Sequence, residues 1–295
     1  MNLKSVFKKD GTYLFFFILP ATILIVTFFV LPNVLNFYYS FTDWNSYKSA
    51  INFIGLANFK ELFSNGIIIK DAFTTIKYAF LVSIIQNGVS FILAIALEKT
   101  TRLNTTLRTI FFIPALFSNL AAGYIFKGIY RPDGPLNVFL SFITGREVNF
   151  AYLGSISFTI FFLSVVHAWR YMGISLLVYI AGLNAIPEEL IEAAKIEGAS
   201  YFRVIKDIKI PLLGPAVTFN IVTTLIGTLS EVAIVLSLTG GGPARATEVL
   251  NMFILREFGS GRYGYTVAIS LFLFLIICIF AFPLMIYLKK REIEI

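Results

Sequence analysis

Few side chains in this 295-residue sequence could do covalent or metal chemistry. The single histidine, His167, and the single cysteine, Cys278, both fall in long apolar stretches, where a ligand set or a nucleophile–base–acid triad would need several carboxylates beside them. His167 therefore reads as a packed helix residue and Cys278 as a small hydrophobe. A phosphate-cradling loop needs a glycine-rich turn followed by Lys and Ser or Thr, but the glycines at 240–242 run into Pro243. The chain is expected not to be an enzyme and to bind no metal or cofactor of its own. What remains is non-covalent chemistry among polar residues set in apolar surroundings. Arg170 and Glu231 are the ionisable residues at depth, with Trp169 and Tyr171 beside the first and Ser230 beside the second. Thr224, Gly227, Thr228 and Glu231 recur at offsets of 0, 3, 4 and 7, which on a helix makes one polar stripe. Such a stripe can line a path for a polar solute whose hydroxyls need donors and acceptors and whose apolar faces stack on Trp169 or Tyr171, with Gly227 leaving room. It can also be glue between helices, with Glu231 paired to Arg170.

The elements that must position these residues follow from composition. The sequence is 57% hydrophobic and 14% charged, against about 45–50% and about 25% for soluble domains, so lipid is the solvent it suits. A disordered chain, a collagen, a coiled coil and a disulfide scaffold are excluded together. The net charge of +7 would suggest nucleic acid for a soluble protein. In a membrane protein it sets topology instead, and no nucleic-acid partner is expected. Six apolar runs are long enough to span, at about 12–36, 72–97, 109–130, 157–184, 213–238 and 264–288. Lys4, Lys8 and Lys9 precede the first, but its apolar stretch exceeds a signal-peptide core, so it is expected to be retained. Outside the spans, thirteen Lys and Arg fall on the side holding both termini and the 185–212 loop. Eight fall on the other side, in the longer loops 37–71, 131–156 and 239–263. Both termini and the 185–212 loop are therefore expected to be cytoplasmic. Lys77 and Lys127, near predicted outer ends, read as snorkelling side chains. The whole of 1–295 reads as a single all-α polytopic membrane domain.

The 185–212 loop is the longest cytoplasmic segment. Pro187 suits a first helical position, Glu188, Glu189 and Glu192 favour the positive end of a helix, and Ala193 and Ala194 propagate it. Gly198 permits a left-handed turn, so a second short helix over 201–208 can leave at a new angle before Pro211 stops it. The expected product is a helix–glycine–helix knob, although a plain amphipathic connector would look similar.

Glu192-Ala193-Ala194, then Gly198, Ile208 and Ile210-Pro211, resembles the signature loop of importer permeases of the ATP-binding-cassette class, with Ile210 where that motif has Leu. A second match, Leu238-Thr239-Gly240-Gly241-Gly242-Pro243 with Thr247 and Phe258 downstream, resembles the extracytoplasmic loop of the carbohydrate and glycerol-phosphate permeases of the maltose, arabinose and lactose type. Ser40-Phe41-Thr42-Asp43-Trp44, Gly55-Leu56-Ala57-Asn58-Phe59, Phe112-Ile113-Pro114 and Trp169 ahead of Ile186-Pro187 extend that likeness along the chain. The resemblance implies a type I importer permease fold in a bacterial cytoplasmic (inner) membrane, moving a sugar or oligosaccharide by alternating access. It implies that Glu192, Ala193, Ala194, Gly198, Ile208 and Pro211 form the contact with a separate ATPase. Two ATPase subunits would hold ATP and Mg, a second permease would complete a heterodimer, and an extracytoplasmic sugar-binding lipoprotein or periplasmic protein would deliver the solute. It further implies that Thr224, Gly227, Thr228 and Glu231 line the solute path. A glycerol-phosphate or other polyol-type substrate, and a stand-alone secondary transporter, remain alternatives.

Overall fold

The computed structural model describes residues 17–64 and 66–292. Lys4, Lys8, Lys9 and the first residues of the 12–36 run lie outside the described residues. In chain order the helices are α1 (Phe17–Tyr39), α2 (Ala57–Ser64), α3 (Ile67–Leu97), α4 (Arg102–Leu116), α5 (Asn119–Ile129), α6 (Pro135–Thr144) and α7 (Thr159–Asn184). They continue with α8 (Glu188–Ile196), α9 (Tyr201–Leu212), α10 (Gly214–Leu229), α11 (Ala233–Leu238), α12 (Leu250–Gly259) and α13 (Tyr263–Lys289). Apart from one isolated antiparallel bridge, Thr42 with Phe53, the described residues form helices and connecting turns. The all-α membrane reading holds: α1, α3, α7 and α13 are each long and apolar enough to cross a bilayer.

The residues fall into two compact units. One holds the described residues up to Gly66 together with Ile254–Phe272. In it α1 has no buried residue. The chain then turns through a loop organised by Asp43. Its carboxylate accepts from Lys48 Nζ at 2.9 Å and from the Asn52 backbone N–H at 2.7 Å. The Lys48 hydrogen bond and then the Asn52 amides hold the Asp43 pKa down at about 2. Buried Asn58 on α2 donates to Ser40 O at 2.8 Å and Thr42 O at 2.9 Å, closing the turn from below.

The other unit holds Ile67–Phe253 and the described residues from Leu273 onward. Its frame is α3 packed along α7, with α10 against both. Buried positions on α3 recur every three or four residues, among them Asp71, Thr75, Tyr78, Val82, Gln86, Ser90, Ala94 and Leu97, so one face of a largely apolar helix, polar residues included, is committed to protein. Two apolar clusters occupy the ends of this frame. One joins Tyr78 and Val82 to Ile160, Leu163 and Val166 of α7 and to Ile234, Val235 and Leu238 of α11. The other joins Ala94 and Leu97 to Leu176, Tyr179, Ile180 and Leu183, with Leu213 at the foot of α10.

Hydrogen-bond register fixes the helix directions. Tyr78 with His167 and Gln86 with Ser175 are both 89 residues apart, so α3 and α7 run parallel. A parallel pair requires one crossing between them, so α4 and α5 together make that crossing despite a 100° bend. Phe111 of α4 packs on the second cluster and Phe126 of α5 on the first, as such a crossing demands. By the same logic α10 begins beside the second cluster at Leu213 and α11 ends in the first, so these two make the fifth crossing.

The expected spans 109–130 and 213–238 are therefore each broken rather than continuous. In the first, Ile113–Leu116 tightens into a 3₁₀ turn around Pro114, Phe117 and Ser118 are extended, and Ser118 Oγ caps the new helix by accepting from Ala121 N at 3.1 Å. In the second, α10 stops at Leu229, and Glu231 Oε1 accepts from Ile234 N at 2.9 Å to start α11. Smaller corrections concern the prolines. Pro187 sits one residue before its helix, and Pro211 does not stop α9, which runs to Leu212. A wide π turn over Ile205–Lys209 precedes Pro211, so the proline stands in the first turn of the renewed α segment, where its missing N–H breaks no α bond.

Close backbone approach holds α4 to α7. A Cβ on Gly173 would lie 2.3 Å from Phe111 O and 2.7 Å from Phe112 Cα, both backbone atoms that cannot rotate away. Gly173→Ala should lower the thermal midpoint of the detergent-solubilised chain, corresponding to a loss of about 1–3 kcal/mol from overpacking. Gly88→Ala, with nothing within 4 Å of the added Cβ, should leave the midpoint unchanged or slightly raised.

Candidate functional site

Between the two apolar clusters lies a band of polar side chains contributed by α3, α7 and α10. Buried Gln86 donates through Nε2 to Ser175 Oγ at 2.8 Å and to Thr224 Oγ1 at 3.2 Å, tying the three helices at one point. Asn220 donates to Ser175 O at 3.1 Å, and Tyr179 OH donates to Asn87 Oδ1 at 3.0 Å. His167 is buried between Tyr78 OH, 2.7 Å from Nδ1, and Thr228 Oγ1, 3.5 Å from Nε2. This is the packed helix residue expected of it, with one addition: its ring also reaches a cavity.

That cavity, of about 240 Å³, is lined by Gln86, His167, Tyr171, Ile174, Ser175, Phe219, Asn220, Thr223, Thr224 and Gly227. No carboxylate, lysine or arginine is among them. Amides and hydroxyls form one side, while Phe219, Ile174 and the ring of Tyr171 supply apolar surface. Gln86 is the sharpest feature: with both donor bonds spent on Ser175 and Thr224, its buried Oε1 has no hydrogen-bond partner. A buried acceptor left this way is costly unless something donates to it.

The expected stripe divides on inspection. Thr224 and Gly227 face the cavity, and a Cβ on Gly227 would meet nothing within 4 Å. Thr228 lies behind, its hydroxyl donating back to Thr224 O at 2.7 Å. Glu231 belongs to the helix break: Oε2 accepts from Asn119 Nδ2 at 2.8 Å while Oε1 caps α11. Asn119 Oδ1 in turn accepts from Tyr171 OH at 3.0 Å, so the breaks in the third and fifth crossings are joined to each other and to the cavity wall. The Arg170–Glu231 pair of the helix-glue alternative is absent. Arg170 lies over the Tyr171 ring at 4.7 Å, and its Nε and Nη1 have no hydrogen-bond partner. Trp169 does not line the cavity; it packs edge-on against Phe126 at 4.9 Å and stacks on Phe117 at 6.3 Å. Sequence reasoning missed Gln86, Ser175 and Asn220. Asn220 stands one turn before Thr224 on the same stripe, and Gln86-Asn87 interrupt an otherwise apolar run, so both signals were present.

At the other end of α3 the 185–212 loop forms the expected knob. Glu188 and Glu189 occupy the first turn of α8 and Lys195 the last. Gly198, at φ +82, ends it in a Schellman turn, with Gly198 N–H donating to Lys195 O at 3.0 Å and Ala199 N–H to Ala194 O at 2.9 Å. Glu192, Ala193 and Gly198 are exposed, and Ala194, Ile208 and Pro211 are half-buried. Ile196 and Phe202 stand out at 87% and 80% exposure. The knob is moored by Lys209, whose Nζ lies 2.6 Å from the Glu98 carboxylate at the end of α3. Arg108 caps the same helix end, donating to Leu97 O at 2.6 Å and Glu98 O at 2.9 Å. These two cations, which the sequence showed only as topological charge, also do structural work.

The glycine–proline loop sits at the opposite end of the unit. Gly241 has φ +87, the Gly242–Pro243 peptide is cis, and Thr247 ties the turn by donating to Gly242 O at 2.7 Å. Arg245 anchors it to α3, with Nη2 2.8 Å from Asp71 and Nε 2.7 Å from Glu248.

Residues 79–292 match the family described as binding-protein-dependent transport system inner membrane component. The chain belongs to this family. It is 29% identical over all of both chains to the probable starch degradation products transport system permease protein AmyD of Thermoanaerobacterium thermosulfurigenes. It is also 29% identical to the multiple sugar-binding transport system permease protein MsmF of Streptococcus mutans, over 99% of each chain. Among solved structures, a chain of a bacterial ABC transporter that imports the acidic polysaccharide alginate superposes with TM-score 0.80 at 21% identity, over 98% of each chain. The fold is thus that of an ABC importer permease, with several apolar helices for the membrane.

The absent Arg170–Glu231 pair gives a direct check. Glu231→Gln should weaken the tie to Asn119 and destabilise the chain by about 1–3 kcal/mol. In a double-mutant cycle with Arg170→Gln the effects should add, with coupling within about 0.5 kcal/mol. The measurement is thermal unfolding of the four variants in one detergent.

Proposed function

We propose that this chain is the permease subunit of an ATP-driven importer for a sugar or oligosaccharide, in the cytoplasmic membrane of a bacterium, with both termini and the α8–α9 knob on the cytoplasmic side. The observation that carries the substrate reading is the cavity around Gln86. It offers a free buried acceptor, further amides and hydroxyls, a ring to stack on and no charged side chain, the mixture that a neutral polyhydroxyl solute needs. The absence of a cation from the lining favours a neutral saccharide over glycerol phosphate. The sugars named for the relatives in Thermoanaerobacterium and Streptococcus point the same way.

No covalent step is needed from this chain. Glu192, Ala193, Ala194 and Gly198, with exposed Ile196 and Phe202 beside them, form the docking surface for an ATPase subunit that binds ATP and Mg. Two such ATPases, a second permease and an extracytoplasmic sugar-binding protein complete the assembly. The second permease, a different chain, faces this cavity and closes the path, which is why 240 Å³ falls below the roughly 300–1,000 Å³ of complete ligand sites. Alternating access then moves the solute past Gln86, Thr224 and Gly227. Glu231 acts on that path by positioning, through Asn119 and Tyr171.

The test uses the complex reconstituted with its binding protein. A neutral saccharide should raise ATPase activity, and Gln86→Leu or Asn220→Leu should reduce sugar uptake about tenfold, the equivalent of about 1.4 kcal/mol from one lost hydrogen bond, while the ATPase still co-purifies. Gly198→Pro or Glu192→Lys should instead lose the ATPase. Full uptake by Gln86→Leu would remove the cavity from the path, and a wild-type chain that never retains an ATPase would overturn the importer reading.

A further inference from the structure

Helix α6 is built inside out. Leu136 and Leu140 pack inward on the apolar cluster near Tyr130 and Tyr152, but so do the polar side chains. Buried Asn137 donates to Pro132 O at 3.0 Å and Phe150 O at 2.9 Å, and accepts from Tyr152 OH at 2.9 Å. Ser141 Oγ, one turn on, accepts from Val148 N at 2.8 Å. The opposite face carries Val138, Phe139, Phe142 and Ile143, two pairs four residues apart, and all are exposed, Phe142 at 85% and Phe139 at 58%. A loop helix bathed in water shows the reverse arrangement. Polarity returns only at the ends. Arg131 and Asp133 form an exposed ion pair before the helix, and Gly145, at φ +64, stops it ahead of exposed Arg146 and Glu147.

The helix has ten residues, about 15 Å, half of the roughly 30 Å that a bilayer core requires. It follows α5 and precedes α7, so the chain holds it at the membrane surface where one crossing leaves and the next enters. Exposed apolar side chains also stand on the flanking segments, Tyr124 and Ile125 on α5 and Ile156 and Phe158 ahead of α7. We propose that α6 lies flat in the bilayer interface on that side, with Phe139, Phe142 and Ile143 among the upper acyl chains and the end charges at the headgroups. The occupant is lipid rather than protein because the face is wholly aliphatic and aromatic and the helix stands in a short connection between two apolar crossings. The role that follows is an anchor: through Asn137 and Tyr152 it fixes the depth of α5, the half-helix tied to Glu231 by Asn119. This requires only that the chain spans a membrane, not that its solute is a sugar.

The test uses the full-length chain with Cys278→Ser, purified with its partner subunits in nanodiscs of phosphatidylethanolamine and phosphatidylglycerol. A bimane label on Phe142→Cys, and separately on Phe139→Cys, should show blue-shifted emission. It should lose intensity to phospholipid spin-labelled near the headgroup end of the acyl chain and resist iodide. A label on Asp133→Cys should lose intensity to iodide. Both helix positions tolerate cysteine because their side chains touch little else. Quenching of position 142 by iodide overturns the proposal. So does resistance to both quenchers, which is the mark of a protein interface, whether constant, as for a second copy, or appearing only when the extracytoplasmic binding protein is added.

Discussion

A bilayer offers no water to polar groups, so every one placed in it must find a partner within the protein. The contact between α3 and α7 depends on this constraint, and the rest of the larger unit hangs on that contact. Tyr78–His167, Gln86–Ser175, Asn87–Tyr179 and Ser90 to the Met172 carbonyl bind the two helices along their length. Dispersion alone would let two apolar helices slide or rotate in lipid, since the tails compete equally for their side chains. Polar pairs at fixed positions set the register, and the register places Ser175 opposite Asn220 and Thr224 of α10. The cavity is what remains where three helices satisfy most but not all of one another's polar atoms.

The two broken crossings follow from the same requirement. A helix interrupted at membrane depth exposes N–H and C=O groups that lipid cannot meet. Here each restart has its own acceptor, Ser118 Oγ for α5 and Glu231 Oε1 for α11. Glu231 does this while also holding Asn119 next to the other break. One carboxylate thus serves both interruptions. Close packing then binds the two half-helices, since a Cβ on Gly123 of α5 would fall 1.9 Å from Ser237 Oγ of α11. The half-helices α5 and α11 pack on each other more closely than on the helix that each continues.

Much of this was legible in the sequence, and the failures have a common cause. Hydropathy located the four long apolar helices α1, α3, α7 and α13, because length and apolarity are one-dimensional properties. It could not show the breaks, since the segments 109–130 and 213–238 stay apolar through them and the signal is carried by single residues, Ser118 and Glu231. The 3.6-residue period correctly put Thr224 and Gly227 on one face, yet it assigned Glu231 to that face by continuing a helix that stops at Leu229. Pairing Arg170 with Glu231 rested on charge and approximate depth alone. Depth does not fix azimuth, and the amide of Asn119 was the nearer partner. The knob at 187–211 was the most legible element, because Gly198 and the Schellman turn it closes are local and depend on no distant residue.

The positions of Lys209 and Arg108 connect the knob to the helix that walls the cavity. In the sequence both read only as topological charge, and both converge on the last turn of α3, Arg108 on the carbonyls of Leu97 and Glu98, Lys209 on the Glu98 carboxylate. Largely buried, the Lys209–Glu98 pair is shielded from the screening that makes most surface ion pairs weak. It therefore holds α9 to α3 as a single piece. Gln86 stands three turns up the same helix, and α3 has no proline or break between them. A displacement applied at Ile196 or Phe202 reaches the cavity wall through one ion pair and one unbroken helix. This is a path of contact, and its stiffness comes from α3, the element whose register the polar pairs with α7 already fix.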